Sequence, residues 1–111
     1  MFQRILLAWQ HDQPPQQSLE LARSLADAFD AELTVCCLGD GAVEAQAAVG
    51  AEAEVASLPA TDGDRELLRF AHEHAFDLLV VGRVRENVPF PRKLIESASL
   101  PVLVVAEESA R

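Results

Sequence analysis

The sequence predicts an α/β domain, a three-layer sandwich in which helices cover both faces of a parallel five-stranded sheet. Five short apolar runs alternate with helix-like segments, which is the pattern of βαβ units. Most of these runs are apolar at every position, as strands buried on both faces are. A chain of 111 residues, 50% of them hydrophobic, has room for one core, so we expect a single domain over residues 1–111.

The five apolar runs are the predicted strands. The third run differs from the others because Glu52 and Glu54 interleave with its apolar residues. Charges on a strand are a common protection for an exposed edge, so this run is expected at an edge of the sheet. The predicted strands are residues 5–9, 33–38, 53–58, 78–81 and 102–106.

Four helices are predicted between the strands. The first follows Pro14 and Pro15, with Asp12 as a plausible cap, and repeats apolar residues at helical spacing. The second, residues 42–49, is closed by Gly50. The third begins at the capping pattern of Thr61, Asp62 and Asp64, and the fourth spans residues 92–99. The apolar positions of the first helix are Leu19, Ala22, Leu25, Ala26 and Phe29.

The charge balance excludes several partners. A net charge of -9 repels polyanions, so we expect neither nucleic-acid binding nor attachment to an anionic membrane. The apolar run at residues 5–9 is shorter than a signal-peptide core and far below the roughly 20 residues of a membrane span. A cytoplasmic location is the resulting expectation.

Three stretches of the chain resemble the universal stress protein family. They are residues 4–8 (RILLA), 76–82 (FDLLVVG) and 100–105 (LPVLVV), in the order in which that family has them. Residues 21–26 and 31–35 resemble its first helix and second strand. The resemblance covers nearly the whole chain and implies a sheet of order 3-2-1-4-5, of the kind that adenine nucleotide alpha hydrolase-like proteins share.

The same resemblance locates a ligand crevice. In a sheet of that order, ligands bind where the strand order reverses, outside the carboxyl ends of strands one and four. Those ends carry Gln10 and Gly82. ATP-binding members of the family have an Asp where this chain has Gln10, and a loop of the form G-x2-G-x9-G-[ST] after the fourth strand.

The phosphate loop of the family is largely absent from this chain. Gly82 matches its first glycine, but Arg85 stands at the second and no glycine follows in the chain. Glycine lets backbone N–H groups approach phosphate closely, and a Cβ obstructs that approach. The stretch between Gly82 and Pro101 is also shorter than in motif-bearing members. The sequence therefore predicts that ATP is not bound in the family's usual manner.

A basic cluster beside the predicted crevice allows two interpretations. Arg83, Arg85, Arg92 and Lys93 are four of the nine Lys and Arg residues of an acidic chain. They could be a solvated loop whose charges offset nearby carboxylates. Alternatively, their side chains hold an anionic metabolite or nucleotide, because arginine suits phosphate and carboxylate. In that alternative the ligand-binding residues are Gln10, His11, Gly82, Arg83 and Arg85.

Other reactive residue types favour structural roles. The adjacent Cys36 and Cys37 point to opposite faces of a strand and are predicted to be small core residues rather than a disulfide or a metal site. His72 and His74 do not share a helix face at their spacing, so we expect surface histidines and no metal site. Trp9, at the end of the first strand, is expected to pack under a helix, the alternative being that it lines the crevice.

Two further features leave the function open at this stage. His11 and Asp12 lie in a loop where catalytic groups occur, but no nucleophile motif or carboxylate pair accompanies them, so no catalytic residue is assigned. A small hydrolase remains a minor alternative. Phe90, between two prolines, is either a plug for the crevice or an anchor for a partner.

The leading functional expectation is a non-enzymatic regulatory or stress-response module without a cofactor, acting through an unknown protein partner. The alternative is a sensor of an anionic metabolite or nucleotide at the crevice. Members of the family commonly pair through their last strand, and an apolar edge needs covering. The resemblance thus implies a homodimer through Val102, Leu103, Val104 and Val105.

Overall fold

The fold is described by a computed structural model covering residues 2–10, 16–39, 42–50, 53–58, 63–83 and 100–106. For Gln10 and Arg83 the description extends to the backbone only. The strands are β1 (Arg4–Gln10), β2 (Glu32–Leu38), β3 (Glu54–Leu58), β4 (Leu78–Arg83) and β5 (Val102–Ala106), and the helices are α1 (Gln16–Phe29), α2 (Ala42–Val49) and α3 (Gly63–Glu73).

The five strands form one parallel sheet of order β3-β2-β1-β4-β5, which confirms the predicted order. The strand that carries Glu54, β3, lies at one edge as predicted, and β5 lies at the other. The connections β1–β2 and β2–β3 cross one face of the sheet through α1 and α2, and β3–β4 crosses the other face through α3. The order reverses between β1 and β4, which are neighbours in the sheet but far apart in sequence.

Two apolar clusters hold the layers together, one on each face of the sheet. Alternate residues of β1 enter the two clusters, with Ile5 and Leu7 on the face covered by α1 and α2, and Leu6 on the face covered by α3. Burial on both faces explains why β1 is apolar without alternation. None of the helices in the described part of the chain is long and apolar enough to cross a membrane.

Hydrogen bonds that cap the helix ends fix where the chain turns back into the sheet. Asp30 follows α1 at a φ of 54°, and the Ala31 N–H donates to the Ala26 carbonyl at 2.8 Å. Ala75 repeats the arrangement after α3 at a φ of 56°, with the Phe76 N–H donating to the Ala71 carbonyl at 3.0 Å. After α2, Gly50 takes the left-handed conformation, as the sequence predicted.

The observed boundaries correct some of the predicted ones. β1 is one residue longer at each end, and β4 runs two residues past its predicted end at residue 81. The described part of α3 begins at Gly63, and the predicted start at Thr61 is not tested. The fourth predicted helix, Pro14, Pro15, Asp12, Thr61 and Phe90 lie outside the described residues.

Candidate functional site

The sheet opens at the carboxyl ends of β1 and β4, where the predicted crevice lies. These two strands pair in register from Ile5–Leu78 to Leu7–Val80 and, within the described residues, no further. On the outer sides the pairing continues, since β1 stays paired with β2 to Gln10 and β4 with β5 to Arg83. The last three residues of both strands therefore border a gap at the reversal of strand order, where α/β sheets bind ligands.

Three of the predicted ligand-binding residues, Gln10, Gly82 and Arg83, border this gap. Gln10 and Arg83 each lie three residues beyond the last β1–β4 pair. The two strands therefore end at the same level of the sheet. His11 and Arg85 lie outside the described residues, as do Arg92 and Lys93 of the basic cluster. The proximity of Gln10 and Arg83 follows from the parallel register alone.

Gly82 lies within β4, whereas the sequence suggested that it begins the loop after the strand. It pairs with Val105 of β5 and is partly buried. Pairing with β5 continues for one residue more, to Arg83, which is why the strand outlasts its apolar run. The one glycine retained from the phosphate loop is therefore part of the sheet, and a turn can begin only after Arg83.

Trp9 is buried on the face of the sheet that α1 and α2 cover. Its side chain is 4% exposed and packs in the same cluster as Leu7 and Cys37. Gly82 lies on this face too, because its partner Val105 packs against that cluster. The prediction that Trp9 packs under a helix is confirmed.

The two cysteines provide no nucleophile for this site. Both are buried free thiols, as predicted. Burial, with a further contribution from Cys37, raises the pKa of Cys36 to about 12, and burial together with Glu44 also raises the pKa of Cys37. The reactive form of cysteine is the thiolate, so both side chains are inert at neutral pH.

Among the described residues, the side chains that could bind a metal, including the histidines, do not form a site. No group of three His, Cys, Asp or Glu side chains in the described part of the chain could hold a metal ion. His72 and His74 are exposed, as predicted. The ring of His74 packs against Phe70 at a centroid distance of 4.4 Å, so this histidine contributes to packing beside α3.

The opposite, amino end of β1 and β4 is held by contacts that the sequence analysis missed. The Asp77 carboxylate accepts hydrogen bonds from the backbone N–H groups of Gln3 at 2.8 Å and Arg4 at 3.0 Å. The Asp77 N–H in turn donates to the Arg4 carbonyl at 2.8 Å. These bonds join residues more than seventy positions apart, which explains why no local pattern predicted them.

The guanidinium of Arg4 extends this clamp to the end of α3. It lies over the Phe76 ring, 4.7 Å from the centroid, and donates to the His74 carbonyl. Its Nε is 3.8 Å from a carboxylate oxygen of Glu32, a loose and largely exposed ion pair that stabilises little. Phe76 and Asp77 belong to the stretch 76–82 that resembles the universal stress protein family, but the resemblance did not indicate their role in this clamp.

Comparisons with known proteins agree with this geometry at the level of the fold. No protein-family model matches the chain, and no curated protein sequence matches it. A universal stress protein from Archaeoglobus fulgidus superposes with a TM-score of 0.77 at 19% identity, covering 95% of this chain and 94% of that one. A universal stress protein in complex with cAMP superposes with a TM-score of 0.70 at 19% identity, covering 96% and 98%. The chain therefore has a universal stress protein-like fold over nearly its whole length.

Proposed function

We propose that this chain is a non-enzymatic regulatory or stress-response module of the universal stress protein type, acting in the cytoplasm, that does not bind ATP in that family's usual manner. The position of Gly82 is the observation that carries the proposal. This glycine is held in β4 by its pairing with Val105, and Arg83 continues the strand. No glycine follows Arg83 in the sequence.

The lack of glycine bears directly on phosphate binding. A phosphate cradle is made of successive backbone N–H groups that point into one concavity, in conformations that glycine adopts easily and a Cβ disfavours. In this chain the residues after Gly82 are Arg83, Val84 and Arg85. Arginine side chains attract phosphate, but they do not replace an array of main-chain donors.

Thermal unfolding with and without magnesium ATP tests this proposal. A ligand that binds only the folded state stabilises it by about 2.7 kcal/mol at 100 times its dissociation constant. We expect no change in the unfolding temperature at millimolar ATP, and no ATP turnover. A shift that saturates at micromolar ATP would contradict the proposal, as would turnover lost in His11→Ala or Asp12→Ala.

We further propose that the module is a homodimer paired through β5. The Leu79 N–H donates to the Pro101 carbonyl at 3.0 Å, so alternate residues of β5 face β4 and those between face outward. Val102 and Val104 therefore point their backbone N–H and C=O groups away from β4. This edge carries apolar side chains only, in contrast to β3 with its exposed Glu54 and Ser57.

A proline at the outward-facing position tests the dimer. Val104→Pro removes an outward N–H while leaving the β4 hydrogen bonds in place, so we expect sedimentation to show a dimer for the parent chain and a monomer for the variant. Val104→Ala is the matched control, because it shortens the side chain and keeps the N–H, and it should remain dimeric. A parent chain that is monomeric at micromolar concentration would contradict the proposal.

A second candidate function is a sensor that holds an anionic metabolite or nucleotide with side chains at the crevice. The gap between the carboxyl ends of β1 and β4 favours it, as does a neighbour of the same fold whose structure is in complex with cAMP. In this chain the donors would be Gln10, His11, Gly82, Arg83 and Arg85.

Calorimetric titration with cAMP distinguishes the sensor from the non-binding module. The sensor predicts saturable binding that weakens by about tenfold or more when Arg83 and Arg85 are both changed to Gln. Arg65→Gln with Arg69→Gln removes the same charge from exposed positions on α3 and should leave that affinity unchanged. Absence of binding heat with cAMP would reject cAMP as the ligand of the sensor. An equal loss of cAMP affinity in both double variants would reject the assignment of Arg83 and Arg85 as ligand-binding residues.

A further inference from the structure

A groove separate from the crevice lies near the amino ends of β2 and β3, on the face covered by α3. Its volume is about 550 Å³, within the range of small-molecule sites. The residues that matter for its chemistry are Thr34, Glu54 and Ala56 from the sheet, and Phe70, His74 and Phe76 from the α3 side. It is at the opposite end of the sheet from Gln10 and Gly82.

The hydroxyl of Thr34 is the first observation that indicates a ligand here. Thr34 is 6% exposed, and its side chain lines the groove. Within the part of the chain that the structure describes, this hydroxyl has no hydrogen-bond partner. The residue is buried, but its hydroxyl oxygen keeps some solvent access, so a bound donor in the groove can reach it.

The carboxylate of Glu54 is the second observation. Glu54 is the register partner of Thr34 across β2 and β3, so the two side chains lie on the same face of the sheet and are adjacent. Glu54 is exposed and forms no ion pair among residues 2–10, 16–39, 42–50, 53–58, 63–83 and 100–106. The groove thus offers a carboxylate and a hydroxyl oxygen side by side as acceptors.

The far wall of the groove is aromatic. The Phe70 and Phe76 rings stack at a centroid distance of 5.8 Å, and His74 packs on Phe70. Ala56 of β3 also lines the groove. Arg4 also borders the groove; its guanidinium lies over Phe76, donates to the His74 carbonyl and is near Glu32, while its buried Nε has no hydrogen-bond partner among the described residues.

We propose that this groove binds a primary ammonium ion attached to a planar apolar body. The ammonium group would donate to Thr34 and pair with Glu54, and the body would lie between Ala56 and the Phe70 and Phe76 rings. The chain's net charge of -9 draws cations toward the protein and repels anions, which favours this charge type. The site is independent of the proposed function at the crevice.

Titration of the isotope-labelled full chain with 2-phenylethylammonium, followed by amide NMR, tests the proposal. Expected are saturable shifts centred on Thr34, Val55 and Ala56, with binding about tenfold weaker for neutral 2-phenylethanol and for 3-phenylpropionate, because both lack the charge-assisted bond. Equal affinity for the three compounds would overturn the proposal. Shifts centred on Trp9 and Gly82, or no shifts with the ammonium compound, would overturn it too.

Variants of Glu54 and Thr34 test whether these two side chains accept the ammonium group. Glu54→Gln should weaken 2-phenylethylammonium binding by about tenfold, whereas Glu20→Gln, an equal charge change on exposed α1, should leave it unchanged. Thr34→Val should weaken binding without lowering the unfolding midpoint, since the hydroxyl has no intramolecular bond to lose. Equal losses in Glu54→Gln and Glu20→Gln, or unweakened binding in Thr34→Val, would overturn the assignment.

Discussion

The two ends of the β1–β4 boundary are built differently, although the strands themselves run parallel throughout. At the amino end, Asp77 bonds to the backbone of Gln3 and Arg4, and Arg4 covers Phe76. At the carboxyl end, β1 and β4 stop pairing after Leu7 and Val80, while their outer neighbours stay paired. One end of the boundary is closed by specific bonds, and the other is open.

This difference indicates where stability and function reside. Bonds such as those of Asp77 fix strands that are distant in sequence, so the amino end contributes to the free energy of folding. At the carboxyl end β1 and β4 stop pairing where the strand order reverses, which is where parallel α/β sheets bind ligands. The Trp9 side chain near this end is buried.

Replacing Trp9 should have the largest effect, and it tests whether the open end is packed below. Trp9→Ala should lower the free energy of unfolding by about 3–5 kcal/mol, the usual cost of removing a buried aromatic ring. Urea unfolding followed by circular dichroism measures it, since the chain has no other tryptophan. Trp9→Phe should lower the free energy of unfolding by clearly less than Trp9→Ala. A loss below about 1 kcal/mol would mean that the ring does not support the core.

Removing the Asp77 carboxylate should have an intermediate effect at the closed end. Asp77→Ala leaves the Gln3 and Arg4 N–H groups without their acceptor, so we expect a loss of about 1–3 kcal/mol in urea unfolding. Asp77→Asn keeps one oxygen acceptor and should lower the free energy of unfolding by less. Asp27→Ala, at an exposed position of α1, is the control. An unchanged midpoint in Asp77→Ala would refute the role given to this clamp.

Relieving backbone strain beside the Asp77 clamp should change the free energy of unfolding least, and it should raise it rather than lower it. Ala75 has a φ of 56°, which disfavours a Cβ, so Ala75→Gly should stabilise the chain by about 0.5–1 kcal/mol. Asp30→Gly at a φ of 54° should gain less, because Asp tolerates this conformation better than Ala. Destabilisation by Ala75→Gly would show that the turn after α3 needs the alanine methyl group.

Much of the sheet could be predicted from the sequence because its signals are local. Runs such as residues 102–106 are apolar at every position, and Glu54 marked β3 as an edge strand. The strand order came from a family resemblance. The extension of β4 through Gly82 was not predicted, since a glycine at the end of an apolar run usually signals a turn, and here pairing with Val105 overrides it.

The candidate sites were less accessible to sequence reasoning. Gln10 and Gly82 were predicted to lie near adjoining strand ends, and the structure has them in the last residues of β1 and β4, because parallel topology fixes that proximity. The Asp77 clamp and the groove at Thr34 and Glu54 were missed. Both depend on residues from separate elements whose contacts arise only when the register of β1, β2 and β3 is known.

Amide NMR during an ATP titration tests the proposal that the carboxyl ends of β1 and β4 lack a main-chain cradle for ATP. We expect the amide chemical shifts of Gln10, Gly82 and Arg83 to stay unchanged up to millimolar magnesium ATP. Saturable shifts of these amides at micromolar ATP, continuing into the residues after Arg83, would contradict it.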